Sequence, residues 1–146
     1  MNHRQLGVDL YNSSWALMEK PERTPEEDDE LVHHVHASMY HWLRAPECEP
    51  KHRARGEWLC SRAYAVLGRP EPALHHAQRC FAICEQHADN VEDWDLAFAY
   101  EALSRAKLVA GNEDDARRYE EQGRELAEQI DDPEDKEIVL KDYATL

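Results

Sequence analysis

The stretch that decides the fold covers residues 57–86, with the sequence EWLCSRAYAVLGRPEPALHHAQRCFAICEQ. Apolar residues recur at helical spacing on both sides of Gly68 and Pro70, which predicts two helices joined by a tight turn. The same design returns about 43 residues later, in residues 100–129. A helical hairpin that repeats along the chain is typical of solenoid proteins. At that offset the matching pairs include Ser61 and Ser104, Arg62 and Arg105, Val66 and Val109, Gly68 and Gly111, and Ala73 and Ala116.

The bulk composition indicates one folded, acidic domain. The chain has 146 residues, 42% hydrophobic and 33% charged, with a formal net charge of −14. This charge repels nucleic acid and anionic lipid, so we expect neither as the main partner. No apolar run approaches the roughly 18 residues that a membrane-spanning helix needs, and the N-terminal residues lack the apolar core of a signal peptide. We therefore expect a cytoplasmic protein.

Outside the two clear hairpins, capping patterns indicate where further helices begin. Residues 24–27, Thr-Pro-Glu-Glu, form a capping box that starts a helix running to Arg44. In this helix Leu31, Val35, Met39 and Trp42 recur at core-facing spacing. The other predicted helices cover residues 2–20, 50–68, 70–87, 91–110 with Asn90 as cap, 113–130 with Asn112 as cap, and 132–146.

These elements predict an all-α fold, a right-handed α-α superhelix of three antiparallel helical hairpins followed by a C-terminal helix. The single domain spans residues 1–146, with clear repeats at about 50–88 and 91–131. Residues 1–45 form a diverged N-terminal hairpin, and residues 132–146 form a capping helix. An open solenoid end also favours a homodimer. The terminal helix is apolar enough for either role through Ile138, Val139, Leu140, Tyr143 and Leu146.

The small residues at the predicted helix crossings resemble those of the tetratricopeptide repeat. The period differs, about 43 residues against roughly 34 in that family, and Lys107 and Glu120 replace expected aromatic residues. The chain is also similar to small bacterial repeat proteins that carry a His-Ala-Ser-x-Tyr-His-Trp run, here residues 36–42. The matching positions are Ser61, Tyr64, Ala73, Ala77 and Cys80 in one repeat, and Ser104, Ala116 and Gly123 in the next.

The resemblance implies that the first helix of each hairpin lines a concave groove that binds a partner. A groove with arginine and aromatic side chains suits a peptide that carries carboxylates, since guanidinium groups offer paired donors. The alternative is that Arg62 and Arg105 form ion pairs within the chain, with Glu57 or Glu101. The predicted partner-binding residues are Arg55, Trp58, Arg62, Phe98, Glu101 and Arg105.

A run of histidines supplies a second candidate site. The predicted second helix carries His33, His36, Tyr40 and His41, and His76 lies on the fourth. With Glu57 nearby, this set would bind a small molecule or a metal ion; the alternative is solvated or hydrogen-bonded histidines. No Cys-x-x-Cys spacing occurs, so we expect the four cysteines to be buried thiols; the alternative is a metal or redox pair.

Sequence motifs of catalysis are missing from the chain. It contains no glycine-rich phosphate-binding loop, no dinucleotide-binding fingerprint and no Gly-x-Ser-x-Gly element. Its many carboxylates are most simply explained as solvated residues at helix starts, where they complement the helix dipole. We therefore expect a non-enzymatic module without a cofactor that binds a protein or peptide.

Overall fold

The computed structural model describes residues 1–146, which form seven α-helices and no β-strand. The prediction of an all-α protein is therefore confirmed. No helix combines the length and the apolar character needed to cross a lipid bilayer. The helices are α1 (His3–Met18), α2 (Pro25–Arg44), α3 (Pro50–Val66), α4 (Pro70–Gln86), α5 (Asp95–Val109), α6 (Glu113–Glu128) and α7 (Pro133–Tyr143), with a short 3₁₀ helix at Ala88–Asn90.

Most helix starts follow the local capping chemistry. The Thr24 hydroxyl accepts a hydrogen bond from the Glu27 backbone N–H, and the Glu27 carboxylate accepts one from the Thr24 N–H. The predicted capping box of α2 is thereby confirmed. At the start of α6, the Asn112 side chain accepts a hydrogen bond from the Asp115 N–H at 3.1 Å, also as predicted.

The fifth helix begins later than the sequence suggested. The predicted start near Val91 with Asn90 as cap is wrong, because Asn90 lies in the 3₁₀ helix and α5 begins at Asp95. The Asp95 carboxylate accepts a hydrogen bond from the Glu92 N–H at 2.9 Å, which holds the turn before the helix. The same carboxylate binds Arg55 of α3 at 3.0 Å. A contact between two helices thus helps to fix this boundary, and local sequence could not reveal it.

Consecutive helices pack in pairs, with α1 against α2, α3 against α4 and α5 against α6. Gly68 and Gly111, at the turns inside the last two pairs, have φ of 72° and 80°, the left-handed conformation in which glycine ends a helix. Each of these pairs is also joined by a buried serine. Ser61 donates to the carbonyl of Ala73 and Ser104 donates to the carbonyl of Ala116, both at 2.8 Å.

The main core lies where the first five helices meet. Leu31 and Val35 of α2 are fully buried, as predicted. Met39 and Trp42 are only half-buried, because each lies over a glycine of a neighbouring helix rather than in the centre of the core. Trp58 is 9% exposed and the other three tryptophans are half-buried, so all four contribute to packing.

The four cysteines are free thiols. Cys60, Cys80 and Cys84 are buried, as expected, whereas Cys48 is half-buried. Burial raises the pKa of Cys60 to about 12, so this thiol stays neutral at physiological pH. It acts as a small apolar residue rather than as a nucleophile or a metal ligand.

The C-terminal helix packs against α5 and α6 of its own chain. Tyr143 is fully buried, and its hydroxyl donates to the carbonyl of Ala97 at 2.7 Å. Val139 is buried beside it, whereas Ile138 is 59% exposed. The buried side chains explain how α7 is held to its own chain, and the homodimer stays a prediction.

Candidate functional site

A cleft of about 450 Å³ opens between helices α1, α3, α4, α5 and α7. Five aromatic side chains contribute to its walls, and its volume lies in the range typical of ligand pockets, about 300–1,000 Å³. We call it the aromatic cleft. Its lining consists of Tyr11, Trp15, Ala54, Arg55, Trp58, Cys80, Trp94, Asp95, Phe98, Ile138, Lys141 and Asp142.

The helical period explains how the aromatic residues of this lining come to share one face of their helices. Residues four apart lie on the same face of a helix. Tyr11 and Trp15 are such a pair on α1, and Trp94 and Phe98 are one at the start of α5. The rings form a continuous row across the helices. Its centroid distances are 5.8 Å from Trp15 to Trp58, 5.5 Å from Trp58 to Phe98 and 6.0 Å from Phe98 to Trp94.

Arg55 lies in the wall of the aromatic cleft but is paired within the chain. Its Nε and Nη2 atoms donate to the two carboxylate oxygens of Asp95 at 3.0 and 3.1 Å. Its guanidinium group lies 4.2 Å from the ring centre of Trp94, a cation–π contact. The pair leaves Asp95 buried and neutralised, and it orients Trp94 at the edge of the cleft.

A buried carboxylate behind the cleft binds the other two arginines of the predicted partner-binding set. Glu101 is fully buried and accepts hydrogen bonds from Arg62 at 3.2 Å and Arg105 at 2.7 Å. The Trp58 indole N–H also donates to Glu101, at 3.1 Å. Arg62 also donates a hydrogen bond to Asp142 of α7, at 2.6 Å. We call these residues the Glu101 network; it connects α3, α5 and α7.

The charge of Glu101 is costly because no water reaches it. Burial raises its pKa to about 7, against the opposing charge of Arg62, and the neighbouring Asp142 carboxylate adds to the rise. Two atoms of the Glu101 network, Arg62 Nε and Asp142 Oδ2, are buried without a hydrogen-bond partner. The network is therefore tightly packed but not fully satisfied.

The raised pKa of Glu101 predicts that stability falls as pH rises through about 7, relative to a Glu101→Gln variant. Between its ordinary value of 4.5 and about 7, the folded state holds a proton that the unfolded state has lost. This contribution is complete below the lower value and is lost above the upper one. Urea unfolding of both proteins below pH 4.5 and above pH 7 measures it. A difference in free energy that does not change with pH would contradict the assignment.

The structure separates the six predicted partner-binding residues into two groups. Arg55, Trp58 and Phe98 line the aromatic cleft. Arg62, Glu101 and Arg105 belong to the Glu101 network. Both arginines form ion pairs within the chain, with Glu101 as their partner, which was the alternative to partner binding. The sequence analysis did not predict that Tyr11, Trp15, Trp94 and the α7 residues belong to this site. The spacing of four residues between Tyr11 and Trp15, and between Trp94 and Phe98, could have indicated the aromatic part of it.

The predicted histidine site does not assemble as one set. His36 hydrogen-bonds to Tyr64 at 2.8 Å and lies 5.4 Å from His76 between ring centres. His76 itself pairs with Glu57 at 2.6 Å. His33 and Tyr40 are exposed, and His41 instead contacts His3 near the N-terminus at 2.9 Å. No group of three or more histidine, cysteine or acidic side chains is arranged to hold a metal ion.

No protein-family model matches the chain, and searches of curated proteins and of solved structures find no match. The likeness to the tetratricopeptide repeat therefore stays a prediction.

Proposed function

We propose that the chain is a non-enzymatic interaction module with a tetratricopeptide repeat-like fold, a right-handed superhelix of three antiparallel hairpins. The matching glycine turns and serine hydrogen bonds of the last two hairpins support the repeat. The first helix of each pair, α1, α3 and α5, contributes to the aromatic cleft, as expected for the concave face of such a superhelix. The cleft binds a peptide segment or a partner helix.

The observation that carries this proposal is the row of aromatic rings that lines the cleft. Large aromatic side chains dominate binding hot spots because they offer wide apolar contact with few rotatable bonds. The chain has a net charge of −14, yet eight of the residues that line the cleft are hydrophobic. A concentrated apolar surface of this kind is typical of a binding site, because covering it with a ligand removes apolar area from water.

The charges around the aromatic cleft define its occupant. Each charged lining residue already has a partner, since Arg55 pairs with Asp95, Asp142 with Arg62, and Lys141 with Glu137. What the cleft itself offers is uncharged ring surface, and its complement is an uncharged apolar side chain. We therefore assign to the cleft a partner peptide that inserts a large apolar or aromatic anchor residue.

A substitution at the cleft mouth tests this function. Ile138 is 59% exposed in the mouth, so Ile138→Arg places a charge there without emptying the core. Peptides selected on the wild-type protein from a random display library should share an apolar anchor and bind Ile138→Arg at least about tenfold more weakly, because a buried unpaired charge costs more than 1.4 kcal/mol. Calorimetry with synthetic copies of the selected peptides gives the affinities.

The matched control is Leu43→Arg, which changes another exposed apolar residue, 54% exposed on α2 and outside the cleft. This variant should bind the selected peptides as the wild type does. Selected peptides that bind Ile138→Arg with undiminished affinity, or that lack an apolar anchor, would overturn the proposal.

A further inference from the structure

A second pocket, of about 360 Å³, adjoins the aromatic cleft. The two hollows share Tyr11 and Arg55 in their linings. We call the second hollow the arginine-lined pocket. Its lining consists of Arg4, Val8, Tyr11, Asn12, Trp42, His52, Arg55 and Gly56.

The arginine-lined pocket has a local charge opposite to that of the whole chain. The chain carries 31 acidic and 17 basic residues, yet no carboxylate lines this pocket, whereas two arginines and a histidine do. Arg4 is exposed and forms no ion pair. In a strongly acidic chain, a free guanidinium group beside a second arginine is a specific departure from the overall charge.

Several hydrogen-bond donors around the arginine-lined pocket are unused. His52 Nδ1 accepts a hydrogen bond from the Glu49 backbone N–H at 3.0 Å, which requires the ring proton of the neutral form to lie on Nε2. The His52 ring is stacked on Trp42, with centroids 4.3 Å apart and planes 11° apart, so its orientation is fixed. Arg55 uses Nε and Nη2 for Asp95 and keeps Nη1, and the Asn12 amide makes no hydrogen bond.

Most of the charges that act on His52 are positive. Burial lowers the pKa of His52, and the positive charges of Arg55, Lys51 and Arg4 lower it further against the opposing effect of Glu49. Two carboxylates beside His52 and Arg55 are already paired. Asp95 is held by Arg55, and Glu49 lies 4.0 Å from the Lys51 amine.

We propose that the arginine-lined pocket is an oxyanion subsite, which binds a carboxylate or phosphate group through Arg4, Arg55, His52 and Asn12. Guanidinium groups are the favoured partners of both anions because their donors match two oxygens at once. The link to the aromatic cleft rests on the proposed function. There, the apolar anchor of the ligand lies in the cleft and its anionic group lies in the adjoining pocket.

The subsite is tested first without any cleft ligand. Inorganic phosphate and acetate are titrated separately into the protein, and the pKa of His52 is followed by NMR. A bound anion should raise this pKa, since it favours the charged imidazolium. Arg4→Ala should weaken the effect about tenfold, as expected for the loss of a charge-assisted hydrogen bond, and Arg4→Glu should abolish it.

The control is Arg117→Ala, which removes the same charge from an exposed position on α6, away from the pocket. It should leave the response of His52 unchanged. The anion that binds more tightly distinguishes a phosphate from a carboxylate ligand. A pKa of His52 that responds to neither anion, or that responds equally in Arg4→Glu, overturns the oxyanion subsite whatever the cleft binds.

A pair of probes then tests the link between the hollows. N-acetylphenylalanine and its amide share an aromatic ring and differ in the carboxylate. The acid should bind about tenfold more tightly, should shift the indole N–H signals of Trp58 and Trp94, and should lose its advantage in Arg4→Ala. Equal binding of both probes in the cleft would remove the link and leave the proposed function intact. Binding of the acid that moves His52 alone would keep the subsite and count against the cleft.

Discussion

Above pH 7, where Glu101 is ionised, replacing it with leucine is expected to lower the free energy of unfolding by about 3–5 kcal/mol, the usual cost of removing one partner from a buried ion pair. Glu101 is fully buried and is the shared acceptor for Arg62 and Arg105. Both guanidinium groups would lose this acceptor in a poorly hydrated environment. The Trp58 indole N–H would lose its acceptor as well.

Urea unfolding followed by circular dichroism measures this effect. Glu120→Leu is the matched control, because Glu120 forms a comparable pair with Arg124 at 2.7 Å but lies at the surface. There we expect a change below about 1 kcal/mol. If Glu101→Leu were as stable as the wild type, the arginines would not depend on this carboxylate, and the partner-binding role first predicted for Arg62 and Arg105 would return.

The Glu101 network shows where sequence reasoning ends. Arginines inside an apolar arc of a helix need a carboxylate, and Glu101 was one of two named alternatives for it. The other, Glu57, pairs instead with His76 and Arg79. Helical period restricts each side chain to a face of its own helix but does not state which carboxylate of a neighbouring helix faces it.

The contact between Asp142 and Arg62 was even harder to predict from the sequence. It lies 80 residues from Arg62 along the chain, and its contact depends on how α7 returns over α3 and α5. No local pattern contains that information. The same holds for Tyr11 and Trp15, because the first hairpin lacks the repeat pattern through which residues of the other two were assigned to the groove.

Local chemistry, in contrast, predicted most helix boundaries. Prolines at the starts of α2, α3, α4 and α7 and the glycines after α3 and α5 restrict the backbone itself, so a few adjacent residues suffice. The predicted start of α5 was wrong because Asp95 is buried and paired with Arg55, which is distant in sequence. Features decided by φ and by capping were predictable, and features decided by pairs of distant side chains were not.

Gly123→Ala is expected to release α7, even though alanine is the better helix former. A Cβ atom at this position would overlap the Tyr143 hydroxyl oxygen and would lie 2.6 Å from Tyr143 Cζ and 2.8 Å from Tyr100 Cβ. Tyr143 is fully buried, so its ring has no free space to enter. We expect a loss of about 3 kcal/mol, at the upper end for overpacked cores.

A double-mutant cycle separates this clash from other effects. Tyr143→Ala alone should cost about 3–5 kcal/mol, as for other buried aromatic residues. Adding Gly123→Ala to that variant should then cost clearly less than in the wild type, because the ring is gone and only the close contact with Tyr100 Cβ remains. Urea unfolding of the four proteins gives the coupling energy. If Gly123→Ala cost the same in the wild type as in the Tyr143→Ala variant, the close contact between α6 and α7 would not exist, and neither would the α7 wall of the aromatic cleft that Ile138, Lys141 and Asp142 provide.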